Sequence, residues 1–75
     1  MPLNIHEAYA GIDAIIENLK ATDSEVGEFV EDYRALMVAT LLVIVNQRRL
    51  TRIERIKLDL AESNSEFEII VNQKH

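Results

Sequence analysis

Apolar and polar residues in the first part of the chain alternate with the period of an α-helix. One apolar stripe contains Ile5, Ala8, Tyr9, Ile12, Ile15, Ile16 and Leu19, spaced three or four residues apart. Asn4 and Glu7 have the spacing of a capping box, in which each side chain accepts a hydrogen bond from the backbone of the other residue. The pattern predicts helix 1 over about residues 5–20, with one buried face.

A second helical pattern follows almost directly. Thr22 and Glu25 have capping-box spacing, and Asp23 and Ser24 are alternative caps. We predict helix 2 over about residues 24–48, folded back on helix 1 because so short a connection favours an antiparallel hairpin. The stripe expected to pack on helix 1 consists of Val26, Phe29, Val30, Tyr33, Leu36, Met37, Thr40, Leu41 and Ile44.

Residues 35–45, ALMVATLLVIV, are apolar on every side of helix 2 except for one threonine. The run is too short to span a membrane, which takes about 20 apolar residues. Helix 1 can cover only one side, so we expect a second copy of the chain to cover the other. The predicted oligomer interface consists of Ala35, Val38, Ala39, Leu42 and Val45. In the alternative, the C-terminal segment of the same chain covers Val38 and Leu42.

Residues 50–60 fit either a helix or a strand. Thr51 and Glu54 repeat the capping-box spacing, and a helical stripe contains Leu50, Ile53, Ile56 and Leu60. We therefore predict helix 3 over about residues 51–62, although this helix leaves Leu58 unexplained. The competing hypothesis is a strand over residues 56–60 that pairs with the C-terminal segment in a β-hairpin.

The C-terminal segment is rich in β-branched residues. FEIIV at residues 67–71 predicts a short strand or extended tail over about residues 66–73, and a helical turn is the alternative. As a docking strand on a partner, it would use Phe67, Ile69 and Val71. The predicted fold class is thus mainly α: one domain over residues 1–75, with a helical hairpin, a third helix and this strand or tail. An α+β fold with two helices and a C-terminal β-hairpin is the alternative.

Charge is distributed unevenly along the chain, whose net charge is −5. Residues 1–46 contain eight acidic and two basic residues, whereas residues 48–57 contain five basic residues and one acidic residue. The basic residues are Arg48, Arg49, Arg52, Arg55 and Lys57. We predict that they contact an acidic partner or nucleic acid. Nucleic acid ranks lower because the chain is acidic overall and no aromatic residue lies among the arginines.

The sequence contains no pattern typical of an enzyme or a metal site. There is no cysteine, and the two histidines, His6 and His75, lie at opposite ends without a glutamate three residues before either. We expect no enzymatic activity, metal or cofactor. The N-terminal residues lack the basic and apolar regions of a secretory signal, so a cytoplasmic or virion location is expected.

The predicted function is a non-enzymatic interaction or assembly module. It would self-associate through helix 2 and bind another protein. A viral or mobile-element origin is a hypothesis that no motif tests. The alternative function is a small acidic inhibitor or adaptor, because an acidic surface can mimic nucleic acid and occupy a protein that binds it.

Overall fold

The computed structural model describes the backbone of residues 2–73 and the side chains of residues 2–63. The helices are α1 (Ile5–Thr22), α2 (Ser24–Glu31), α3 (Arg34–Asn46) and α4 (Arg52–Gln73). The described backbone contains no strand. The mainly α fold class is therefore confirmed.

Two of these helices begin at the capping boxes that the sequence predicts. At α1, Glu7 N donates to Asn4 Oδ1 over 2.8 Å, and Asn4 N donates to a Glu7 carboxylate oxygen over 3.3 Å. At α4, Glu54 N donates to Thr51 Oγ1 over 3.1 Å, and Thr51 N donates to Glu54 Oε1 over 2.8 Å. Both boxes satisfy backbone N–H groups that a helix start leaves without partners.

The junction between α1 and α2 is a single residue, Asp23. Its side chain, rather than that of Thr22, accepts the backbone N–H bonds at the start of α2. Gly27 of α2 lies so close to α1 that a Cβ at this position would be 2.7 Å from the Lys20 Cα. An ion pair between Lys20 and Glu31 also joins the two helices.

Helix 2 of the sequence-based prediction is divided in the structure. α2 ends at Glu31 and α3 begins at Arg34. Between them, Tyr33 leaves the helical region at φ −103° and ψ 14°, and its N–H donates to the Val30 carbonyl three residues back. The prediction of one helix over residues 24–48 is therefore wrong. The break divides this segment into two helices, both of which pack on α1.

α3 runs antiparallel to α1, with a polar contact at each end. At the start of α3, Arg34 donates two hydrogen bonds to the Asp13 carboxylate, of 2.5 and 2.7 Å. At its end, the Asn46 side chain accepts from Leu3 N over 2.6 Å and donates to Leu3 O over 2.8 Å. These contacts fix which side of α3 faces α1.

The core lies where α1, α3 and α4 meet. Its buried apolar residues are Ile5, Ala8, Ile12, Ile16, Val38, Leu42 and Leu58. Leu58, which the predicted third helix does not explain, is the α4 residue in this cluster. The molecule measures 43 × 28 × 14 Å along its principal axes, and the shortest dimension accommodates at most two layers of helix. Each helix therefore keeps an outward side.

α4 also includes the segment for which a strand is predicted. Its bounds extend to Gln73, so the backbone of residues 66–73 is helical, as in the alternative of a helical turn. Neither the predicted strand nor the β-hairpin alternative is therefore found. Phe67, Ile69 and Val71 have side chains outside the described residues, and their predicted docking role stays untested.

Candidate protein-interaction surface

The structure places most of the predicted oligomer interface inside the chain. Val38 and Leu42 have no exposed surface, and both belong to the core. Ala35 and Ala39 are half-buried beside α4, where they line a cavity of about 150 Å³. Val45 is exposed. The predicted interface is wrong for Val38 and Leu42, because α1 and α4 of the same chain cover them.

The opposite side of the same segment is exposed and largely apolar. We call it the outer face, and it consists of Phe29, Tyr33, Leu36, Thr40, Val43 and Ile44. Phe29 is 64% exposed, Leu36 61% and Ile44 66%. The Thr40 hydroxyl donates to the Leu36 carbonyl over 2.9 Å, so its polar group has a partner within the helix. Large exposed apolar patches of this kind mark interaction sites in soluble proteins.

The side of α3 that was predicted to pack on helix 1 is exposed, and the predicted oligomer interface at Val38 and Leu42 is buried. Helical geometry accounts for this difference. At about 100° per residue, Thr40, at the centre of the outer face, lies roughly 160° around the helix from both Val38 and Leu42. Since α3 is apolar on both sides, its hydrophobic pattern does not identify the inner one. All members of the outer face except Val43 were predicted to pack on helix 1. The overlooked signal was polar: Arg34 and Asn46, on the Val38 side, are the residues that bind α1.

A shallow groove lies along the outer face. It has a volume of about 340 Å³ and is lined by Ile12, Leu36, Met37, Thr40, Leu41 and Ile44. Met37 and Leu41 are half-buried and form its floor towards α1, whereas Leu36 and Ile44 stand at the surface. An apolar groove between exposed aliphatic side chains is suited to a helix of a partner protein.

Aromatic and acidic side chains lie at the α2 end of the outer face. The rings of Phe29 and Tyr33 pack with centroids 5.3 Å apart and an interplanar angle of 54°. We call the exposed acidic residues around Phe29 the acidic end, and they are Glu25, Glu28 and Asp32. Aromatic residues are enriched in protein interfaces because they present a large rigid surface at low entropic cost.

Arg48 has an internal partner, in contrast to its predicted role. Its guanidinium donates to Glu54 Oε1 over 2.8 Å and to Glu54 Oε2 over 3.0 Å. Glu54 is only 8% exposed. The hydrogen bonds from Arg48, followed by that from the Thr51 backbone, lower the Glu54 pKa to about 2. Arg48 therefore stabilises the start of α4.

The other predicted basic residues are exposed. We call them the basic cluster, and they are Arg49, Arg52, Arg55 and Lys57. Arg49 lies in the connection between α3 and α4, and Arg52 is the first residue of α4. The basic cluster therefore begins directly beyond the α3 end of the outer face.

A second ion pair, between the half-buried side chains of Arg34 and Asp13, joins two helices. The Arg34 guanidinium lies 4.4 Å from the centroid of the Tyr9 ring while it binds Asp13. The hydrogen bond from Arg34 lowers the pKa of Asp13, and burial raises the pKa of the Tyr9 hydroxyl. This contact joins α1 to the start of α3.

Comparison with known proteins gives no family for this chain. No protein-family model matches it, and no curated protein or solved structure is significantly similar to it. Among the described residues, no group of three or more histidine or acidic side chains is placed to hold a metal ion. No helix in the described part of the chain is both long enough and apolar enough to cross a membrane.

Proposed function

We propose that this chain is a non-enzymatic protein-interaction module that self-associates through the outer face. The main observation is the line of exposed apolar side chains formed by Phe29, Leu36 and Ile44 on a segment whose opposite side is the core. Exposed apolar surface costs about 25 cal/mol per Å² relative to its burial. A partner that covers the outer face removes this cost.

A second exposed apolar stripe lies on α4 and makes a useful comparison. It consists of Ile53, Ile56 and Leu60. This stripe has neither the aromatic pair nor the groove that the outer face has among the described residues. The outer face is therefore the better candidate for the interface, and the α4 stripe supplies a matched control.

Self-association can be tested by introducing a charge on each surface. Ile44 and Leu60 are 66% and 60% exposed, so glutamate at either position should leave the fold of one chain intact. We expect Ile44→Glu to weaken self-association by more than about 100-fold, because an unpaired charge in a buried interface costs several kcal/mol. Leu60→Glu should behave like the unmodified chain.

Sedimentation equilibrium over a range of concentrations measures the effect, and circular dichroism checks that both variants keep their helices. An unmodified chain that stays monomeric at hundreds of micromolar would contradict self-association. Loss of association in Leu60→Glu but not in Ile44→Glu would place the interface on α4 instead.

A further inference from the structure

We infer that the self-associated form is an antiparallel homodimer, in which the acidic end of each copy meets the basic cluster of the other. The inference rests on the proposed function, since it concerns how two copies would pair through the outer face. Its basis is the charge at the two ends of that face.

The two ends of the outer face have opposite charge. Glu25, Glu28 and Asp32 are exposed beside Phe29 at the α2 end. Beyond the other end, Arg49 is exposed in the connection that follows α3, and Arg52 is exposed as the first residue of α4. The ion pairs among the described side chains use Lys20, Arg34 and Arg48 as their cations. None of these pairs involves a member of the acidic end or of the basic cluster.

A twofold axis perpendicular to α3 at Thr40 brings these ends together. α3 has 13 residues and is therefore about 20 Å long. Such an axis places Leu36 of each copy on Ile44 of the second copy, and the acidic end next to Arg49 and Arg52 of the second copy. Thr40 lies at the centre, where its small side chain and satisfied hydroxyl permit close approach.

The parallel arrangement is disfavoured by the same charges. With the two helices in parallel, the acidic end would lie against itself and the basic cluster against itself. Like charges across an interface oppose association, whereas complementary charges accelerate it and fix the orientation. The acidic and basic ends also extend the contact towards the roughly 800 Å² per partner that a stable interface buries.

Charge reversal at each end tests the orientation. An acid-reversed variant carries Glu28→Lys and Asp32→Lys, and a base-reversed variant carries Arg49→Glu and Arg52→Glu. In the antiparallel dimer, each variant alone places like charges together, so we expect the dimer to dissociate at concentrations at least about tenfold higher. Combining the four substitutions in one chain restores complementary charges and should restore association.

A parallel dimer gives the opposite pattern. In a parallel dimer each end faces the same end of the second copy, so reversing its charge still leaves like charges together. Neither single-end variant would therefore associate more weakly than the unmodified chain. Sedimentation equilibrium at low and high salt distinguishes these cases, and a Glu17→Lys variant controls for added positive charge outside the outer face and its two ends. Glu17 is exposed on α1.

The outcomes separate this inference from the proposed function. One outcome is that the unmodified chain dimerises, Ile44→Glu disrupts the dimer and the single-end variants associate normally. This outcome overturns only the antiparallel arrangement. A monomeric unmodified chain overturns both. Weakening by the single-end variants, rescue by their combination and an unaffected control support the antiparallel homodimer.

Discussion

Glu54 shows how much a single side chain contributes at a helix start. Its carboxylate accepts hydrogen bonds from the Arg48 guanidinium and from the Thr51 backbone, and it is buried beside the core residue Leu58. The carboxylate thus joins the α3–α4 connection to the first turn of α4. A neutral side chain at this position could not form the ion pair with Arg48.

We predict that Glu54 makes stability sensitive to acid. Its pKa is lowered from 4.5 to about 2 in the folded chain, so its stabilising effect is complete above pH 4.5 and is lost as the pH falls towards 2. Glu54→Gln should cost about 1–2 kcal/mol at neutral pH, the range for loss of a helix cap, and should flatten the acid dependence. Urea unfolding between pH 7 and pH 2 measures both effects. Exposed Glu62→Gln is the control, and equal acid dependence in the two variants would contradict the prediction.

Between helices, the close crossing of α1 and α2 depends on a residue without a side chain. Gly27 is buried against the backbone of Lys20, which cannot move aside as a flexible side chain can. Gly11, in contrast, has nothing within 4 Å of the position that a Cβ would occupy. The two glycines are both helical and therefore form a matched pair.

We predict opposite effects of alanine at these two glycines. Gly27→Ala should destabilise the fold by about 1–3 kcal/mol, because the added methyl group forces α2 away from α1. Gly11→Ala should stabilise it by about 0.5–1 kcal/mol, because alanine restricts the unfolded chain and favours helix. Thermal unfolding followed by circular dichroism compares the variants. Stabilisation by both substitutions would show that the α1–α2 crossing is not tight.

Across the whole molecule, α3 separates a core side from an exposed side of similar composition. Leu42 is buried with α1 and α4 residues, whereas Leu36, on the same helix, is 61% exposed. A substitution at Leu42 is therefore a test of folding. A substitution at Leu36 is a test of association, which reverses the assignment that the sequence suggests.

We predict that Leu42→Ala destabilises the chain by about 2–5 kcal/mol, through lost burial and a cavity. Leu36→Ala should change the stability of a single chain by less than about 0.5 kcal/mol, as is usual at exposed positions. Both are compared by urea unfolding in the Ile44→Glu background, so that self-association does not contribute. A larger cost at Leu36 than at Leu42 would mean that the outer face, rather than the Val38 side, is the core.

The sequence by itself determined where α1, α2 and α4 begin and that the fold is mainly α. Asn4, Glu7, Thr51 and Glu54 act locally, over three residues, so the spacing of each pair identifies a helix start without long-range information. The amphipathic stripe of α1 likewise specifies its buried face, because its other side is polar. The exposure of the acidic end also follows from the local pattern of charges.

Only the tertiary structure decided which side of α3 became the core. An apolar helix has no preferred inner side of its own, and the choice depends on contacts over long sequence separations, such as Arg34 with Asp13 and Asn46 with Leu3. The break at Tyr33 and the position of α4 depend on the same packing. The outer face is therefore the part of an apolar surface that remains exposed after one chain has covered what it can.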